Sequence, residues 1–246
     1  MVWQQRCPAI VNLTHCFEKG REKCHQYWPD SSGSRTCGSL QVSLVHETAC
    51  NDEIFVREFQ LVHSSGEQRR VLQFHYMGWP DFGVPDRPQG LCRLVRMFRQ
   101  RISARNSGPT VVHCSAGVGR SGAFIALDRV VQAIENGEKL IDIFKIVYEM
   151  RKERVLMVQT EHQYIFIHDC ALCVTLGREN DENGAQFKST NERRPLYPIA
   201  VATPTIPSLI GGGGMPSTPP PRIEIMQQRW GKNFGEFSPV ESSSHL

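Results

Sequence analysis

With 246 residues, 40% of them hydrophobic and 22% charged, the chain is long enough for one well-filled domain and a further segment. A net charge of +3 is too small to argue for nucleic acid or an anionic membrane surface as partner, and no apolar run reaches the roughly 20 residues of a bilayer span. Met1 to Arg6 lacks the layout of a secretion signal and the 9 cysteines form no repeating framework, so reduced thiols in the cytoplasm are expected.

Ala9 to Leu13 is a short apolar run, read as a strand. Leu40, Val42 and Leu44 alternate with Gln41, Ser43 and Val45, as in a strand with one covered face. Phe55, Arg57, Phe59 and Leu61 share one strand face; Leu72, Phe74 and Tyr76 share another, with a turn at His63 to Gln68 between them. Leu91, Leu94, Val95, Phe98 and Ile102 recur at helical steps. Thr110 to Val112 is a brief buried strand that runs into His113-Cys114. Helical spacing returns in Phe124, Leu127, Val131 and Ile134, then in Ile143, Val147 and Met150. A last helix starts at Thr160, with Gln163 three places on as in a capping box, and ends at Gly177. Strands first and helices later give an α+β fold, a mixed central sheet flanked by helices. Cys170-Ala171-Leu172-Cys173 has the spacing of a metal or redox pair. It stands alone in an apolar helical stretch and reads as core.

Composition divides the chain near Gly177. All 9 cysteines precede it and most of the 15 prolines follow it. Residues 1–177 are the expected folded domain. Residues 178–246, rich in Pro, Gly and Ser, are expected to form a disordered tail because they cannot bury enough surface to offset chain entropy.

The chemistry concentrates in Val111 to Gly122. A buried strand enters a tight loop of small residues, Ser115, Ala116, Gly117, Val118 and Gly119, and an amphipathic helix leaves it. The glycines let successive N–H groups turn toward one centre, and the helix adds its positive end. Such a loop is a nest for a dianionic phosphate. Cys114 sits where those groups favour a thiolate, the nucleophilic form. Arg120 closes the ring and can hold two phosphoryl oxygens with its planar fork. Attack by sulfur needs a proton for the departing oxygen. Asp81, in the loop-like stretch Gly78 to Pro85, can supply it if the loop closes on substrate. A second Trp-Pro-Asp, Trp28 to Asp30, runs into polar Ser31 to Ser34 like an exposed turn, and the tripeptide alone does not choose between the two.

These motifs resemble the cysteine-dependent protein tyrosine phosphatases, over roughly Val2 to Leu176. Glu18-Lys19-Gly20 with Lys23-Cys24-His25-Gln26-Tyr27-Trp28-Pro29 is similar to a structural stretch of that family. Phe74 to Pro85 resembles its mobile acid loop, His113 to Gly122 its phosphate loop, and Arg151 to Tyr164 its glutamine loop. The resemblance assigns Asp81 rather than Asp30 as the acid. It implies that Cys114 forms a cysteinyl-phosphate and that Asp81 protonates the tyrosine oxygen and then deprotonates water. Gln159 would position that water with help from Gln163, and Ser121 would hydrogen-bond the sulfur. Glu18 would pair with Arg120 and His113 would orient the loop, with Lys23 and Tyr27 in support. No metal or cofactor is implied. In the family, helices and a tyrosine-bearing loop stand ahead of the first strand. Nothing here matches that loop, so an N-terminally truncated catalytic domain with a shallower pocket is expected.

The implied substrates are phosphotyrosine-containing proteins. The Gln159 loop and the Trp79 context argue against dual specificity. A truncated phosphotyrosine-binding module of weak or no activity is the alternative. In the tail, Thr203-Pro204, Thr218-Pro219 and Ser238-Pro239 suit proline-directed phosphorylation. Ser244-His245-Leu246 suits a peptide-recognition domain that adds a strand at its sheet edge.

Overall fold

Four buried residues with β-branched or small side chains, Ala9–Asn12, open the fold as β1. A small antiparallel pair follows, β2 (Phe17–Glu18) and β3 (Arg21–Glu22), turned at Lys19 and Gly20, both of positive φ. Next come β4 (Ser34–Cys37), β5 (Leu40–Ala49), β6 (Ile54–His63) and β7 (Gln68–Tyr76). The remaining elements are α1 (Gln89–Ile102), β8 (Thr110–His113), α2 (Gly119–Glu135), α3 (Ile143–Glu153), α4 (Glu161–Thr175) and β9 (Ile223–Ile225). This computed structural model describes residues 1–30, 33–80, 83–102, 108–181 and 223–225.

Seven strands form one mixed sheet in the order β4-β5-β6-β7-β1-β8-β9. From β4 to β7 neighbours run antiparallel; from β7 through β1 and β8 to β9 they run parallel. The expected turn at His63 to Gln68 joins β6 to β7, with Gly66 at positive φ. The alternation along β5 breaks between Leu44 and His46, where the register to β6 shifts. Two short elements lay below the resolution of sequence periodicity, the β2–β3 pair and β4. Ser34, read as part of an exposed turn, begins β4.

Helices α1, α2 and α4 cover one face of the sheet. Phe98 sits edge-on between Phe74 of β7 (5.6 Å) and Phe124 of α2 (5.6 Å), tying sheet to helices. Each such buried ring contributes roughly 1.5–3 kcal/mol. A smaller cluster of Ile10, Trp28, Phe59, Leu61, Val71 and Val111 lies on the opposite face. Cys170 and Cys173 are buried in α4, and every cysteine is a free thiol, in accord with the reading of that pair as core. No described helix is long and apolar enough to cross a membrane. Of the expected tail, residues 178–181 are described, and Ile223–Ile225 runs alongside β8, pairing Thr110 with Ile223 and Val112 with Ile225. Residues 182–222 and 226–246, including the three proline-directed sites and the C-terminal tripeptide, lie outside the described residues.

Candidate active site

β8 ends at His113, and the next residue, Cys114, opens the loop that leads into α2. Gly117 takes φ +72°, a conformation that side-chain-bearing residues resist, and its N–H donates to Cys114 Sγ at 3.2 Å. α2 starts without a side-chain cap at Val118 and without an acid in its first turn. Its positive end is therefore left for whatever anion enters the loop. Ser115 and Ala116 are exposed at the rim, while Gly117, Val118 and Gly119 are buried.

Arg120 is held from below by Glu18. Nη1 donates to Oε1 at 2.5 Å and Nη2 to Oε2 at 2.9 Å, a two-pronged pair that fixes the guanidinium plane. Nη1 also reaches Thr14 Oγ1 and the Leu13 carbonyl (3.2 and 3.3 Å), and Nη2 reaches the Pro80 carbonyl at 3.1 Å. Burial alone would raise the Glu18 carboxyl. The Arg120 pair and the Thr14 hydroxyl, 3.0 Å from Oε1, outweigh it and hold the carboxyl below its ordinary value.

Behind the loop lies a chain of buried polar groups. His113 Nε2 is 2.7 Å from the Tyr27 hydroxyl, which accepts from Gln73 Nε2 at 2.9 Å. Arg57 Nη1 donates to Gln73 Oε1 and to His75 Nδ1, both at 3.0 Å, so His75 Nε2 carries the proton and donates to the Thr14 carbonyl at 2.9 Å. Burial pushes His113 down and His75 down to about 4, so both rings are neutral at pH 7. His113 is thus neutral and held by the Tyr27 hydroxyl.

The glutamine loop packs against the first turn of α2. A Cβ on Gly119 would stand 2.9 Å from Gln163 Nε2 and 3.3 Å from Gln159 Oε1, so both carboxamides lie over the phosphate loop. One on Gly122 would stand 2.4 Å from the Val158 backbone nitrogen. Val158 N–H and Gly122 N–H converge on the Val118 carbonyl (3.0 and 3.1 Å), and Val158 itself takes φ +59°. Arg151 grips the Met157 and Val158 carbonyls, and Arg154 Nη2 donates to the Ala116 carbonyl at 3.2 Å. Thr160 caps α4 by accepting from Gln163 N–H, as expected. The other half of the capping box differs. Gln163 Oε1 accepts from Gln159 N–H at 3.0 Å, one residue ahead of the cap, and thereby shapes the loop.

Two expectations are not met. Ser121 Oγ is fully buried without a hydrogen-bond partner, so its expected bond to the Cys114 sulfur is not formed; the sulfur accepts from Gly117 N–H instead. Lys23, half-buried, donates its backbone N–H to the Cys16 carbonyl, and no side-chain hydrogen bond ties it to the loop among the described residues. Asp81 lies outside the described residues. The stems of its loop are described. Trp79 is buried edge-on against Phe166 (5.9 Å), with Nε1 donating to the Gly83 carbonyl at 3.2 Å. Asp30, exposed, accepts from Gln26 Nε2 at 2.7 Å, while its neighbour Trp28 packs in the small cluster beneath Arg57.

Thr14, Gln73, His75 and Arg57 escaped the sequence reading. One signal was present: Asn12 ends an apolar strand and Thr14 follows it, with Glu18 four residues beyond Thr14, where polar groups need a buried partner. The partner of Gln73 and His75 is 16 to 18 positions away on β6, which no local pattern announces.

Among the described residues, no cluster of three or more His, Cys, Asp or Glu could hold a metal ion. The arrangement is one sulfur that accepts from the Gly117 N–H, a clamped guanidinium and two overlying carboxamides. That is a site for holding a tetrahedral oxyanion in line with a nucleophile.

Comparison with known proteins agrees. The family model of Protein-tyrosine phosphatase matches residues 1–173. Human receptor-type tyrosine-protein phosphatase F is 46% identical over 177 residues, which cover 70% of this chain and 9% of that protein. Human receptor-type tyrosine-protein phosphatase H is 45% identical over 174 residues, covering 70% of this chain and 15% of the relative. The chain thus spans a small part of the curated relatives it matches. Among solved structures, the catalytic domain of human protein tyrosine phosphatase non-receptor type 18 superposes with a TM-score of 0.67 at 32% identity, covering 70% of this chain and 62% of that one. Sequence, fold and loop geometry agree: the chain belongs to the protein-tyrosine phosphatase family.

Proposed function

We propose that this chain hydrolyses phosphotyrosine in proteins through a cysteinyl-phosphate intermediate. The observation that carries the reading is Cys114 Sγ accepting from Gly117 N–H while Glu18 holds Arg120 flat across the same loop. In the first step Cys114 Sγ attacks phosphorus, the P–O bond to tyrosine breaks, and Asp81 gives its proton to the leaving oxygen. The equatorial oxygens rest on the loop N–H groups of Ser115 to Gly119 and on Arg120. In the second, water oriented by Gln159 and Gln163 attacks phosphorus. Asp81 takes its proton, the S–P bond breaks, and inorganic phosphate leaves. Ser121, whose buried hydroxyl has no other partner, is free to rotate toward the departing sulfur in this step. Glu18, His113 and Tyr27 act as positioning residues.

The phosphotyrosine-containing substrates of such an enzyme and its nine free thiols both suit the cytoplasm. Regulation of signalling proteins follows from that chemistry. The Ser244-His245-Leu246 end is proposed to engage a peptide-recognition domain.

The test is turnover of a phosphotyrosine peptide beside a phosphoserine peptide by wild type and Cys114→Ser. Phosphotyrosine turnover by wild type is expected, together with a loss of several orders of magnitude in the mutant and retained phosphate binding, because an alcohol is far less ionised than a thiol. Equal turnover by the mutant, or no wild-type turnover of either peptide, would overturn the reading.

A further inference from the structure

We propose that Arg57, on β6, is a positioning residue: through Gln73 and Tyr27 it fixes which nitrogen of His113 carries the proton, and so holds the peptide that follows Cys114. Two strands, β7 and β1, stand between β6 and the strand that carries the loop.

The direction of each hydrogen bond follows from what each group can do. A guanidinium donates and never accepts. Arg57 Nη1 carries two hydrogens and has two acceptors at 3.0 Å, Gln73 Oε1 and His75 Nδ1. The Gln73 carboxamide therefore turns its oxygen to Arg57, which leaves Nε2 to donate to the Tyr27 hydroxyl at 2.9 Å. Were the carboxamide turned over, two donors would face each other in a buried site. Burial pushes the Tyr27 phenol up, so the hydroxyl keeps its proton. Having accepted from Gln73, it donates to His113 Nε2 at 2.7 Å. A neutral His113 with an accepting Nε2 bears its proton on Nδ1. That nitrogen lies 3.3 Å from the Cys114 carbonyl, a group that only accepts. The two ends of the chain thus impose the same sense on it.

Arg57 is itself held in place. Its Nε pairs with Glu47, its guanidinium lies 5.2 Å from the Trp28 ring centroid, and its side chain is 11% exposed. At the far end, tying the Cys114 carbonyl fixes the direction of the Ser115 N–H across a trans peptide. The second hydrogen of Nη1 orders another chain in the same way. His75 Nε2 donates to the Thr14 carbonyl at 2.9 Å, and the Thr14 hydroxyl lies 3.2 Å from Arg120 Nη1 and 3.0 Å from Glu18 Oε1. One nitrogen of Arg57 therefore sets the hydrogen-bond sense on both sides of the phosphate loop. The consequence for turnover rests on the hydrolase reading; the tautomer of His113 does not.

Histidine ¹⁵N spectra of the full chain at pH 7, with His113 identified by the signals lost in His113→Gln, test this. Wild type is expected to show Nδ1 protonated and Nε2 bare. Gln73→Glu keeps a partner for Arg57 but cannot donate to Tyr27, whose proton then turns to the carboxylate. His113 Nε2 is expected to gain a proton in about half of the molecules or more. With it, kcat should fall about tenfold or more while KM stays within about twofold. Arg57→Met, which has no donor, should move both readouts in the same direction, and Arg57→Lys, which still donates to Gln73, should restore the Nδ1 form. A protonated Nε2 in wild type, or a bare Nε2 in Gln73→Glu, would overturn the assignment. Gln73→Glu retains its pairing with Arg57, so it decides alone if Arg57→Met does not fold. A fall in kcat with His113 signals unchanged would also overturn it, since a merely structural role predicts that result. The Nδ1 form in a wild type that hydrolyses neither peptide would support the assignment and overturn the hydrolase reading.

Discussion

On the parallel side of the sheet every residue of β1 and β8 is buried, whereas on the antiparallel side β4 is exposed throughout and β5 is mostly half-buried or exposed. The two sides also differ in what they carry. The loops after β1, β7 and β8 hold Thr14, the acid-loop stem and Cys114, and the short β2 after β1 carries Glu18; the strands from β4 to β6 contribute Arg57 to the network behind them. A strand covered on both faces has one register that works, because a slip of one residue exchanges its two faces. Anchoring the reactive groups to such strands places them reproducibly, and the half-open meander is left free to vary.

The sharpest way to break this contrast uses the two Trp-Pro-Asp copies. The first lies with the cluster that faces β6; the second follows β7. Asp81→Ala should depress phosphotyrosine turnover by about 10²–10⁴-fold, the usual scale for a lost general acid, with little change in ligand affinity. Asp30→Ala should leave turnover within about twofold of wild type. Steady-state kinetics in which the two mutants rank the other way would place the chemistry on the wrong side of the molecule.

His75, on β7, joins the two sides through Arg57 and the Thr14 carbonyl. Its folded value of about 4 lies below the ordinary 6.5, so between these values the unfolded chain binds more protons than the folded one. Stability from this residue is fully present above pH 6.5 and is lost as pH falls toward 4, by about 3 kcal/mol at most. Glu18, also held below its ordinary value, adds a loss at still lower pH. Urea midpoints measured from pH 7.5 to 4.5 should fall steeply for wild type and less steeply for His75→Asn. Parallel curves would remove His75 as the cause.

A smaller effect is expected where α2 meets the glutamine loop. Gly122→Ala places a methyl 2.4 Å from Val158 N, against backbone that cannot step aside cheaply. A destabilisation of about 1–3 kcal/mol is expected, with turnover falling more than phosphate affinity because Gln159 moves with Val158. A wild-type melting temperature and kcat would show that the contact gives way easily. The smallest effect belongs to the meander's surface. Arg70→Ala, which removes an exposed 3.5 Å pair with Glu58, should change stability by no more than about 0.5 kcal/mol in denaturant titration. A larger loss would mean that the two sides are less different than their burial suggests.

This contrast also explains what could be read from the residues alone. Continuous apolar runs announced β1 and β8, period-two alternation announced β6 and β7, helical spacing announced α1 to α3, and a capping pattern announced α4. The phosphate loop was legible because its chemistry is contiguous, from Cys114 to Arg120. The support beneath it was less so. Thr14 meets Arg120 across 106 positions and His75 meets Thr14 across 61, and such partners are chosen by strand order, which short-range periodicity does not encode. Ser121 shows the opposite limit: its place in the motif suggested a bond to sulfur that the side chain does not make in this structure.

The clamp of Glu18 on Arg120 spans 102 residues, and the bond that Arg120 donates to the Leu13 carbonyl spans 107. Loops of that length close late, since the entropy of bringing their ends together is offset only once the strands between them have paired. The phosphate-binding ring is therefore among the last structures to form when the chain refolds. An intermediate with its helices and its β5–β6–β7 meander already in place would still hold Arg120 without its carboxylate. Recovery of phosphate binding after dilution from denaturant should then follow the slowest folding phase and trail the recovery of helical signal.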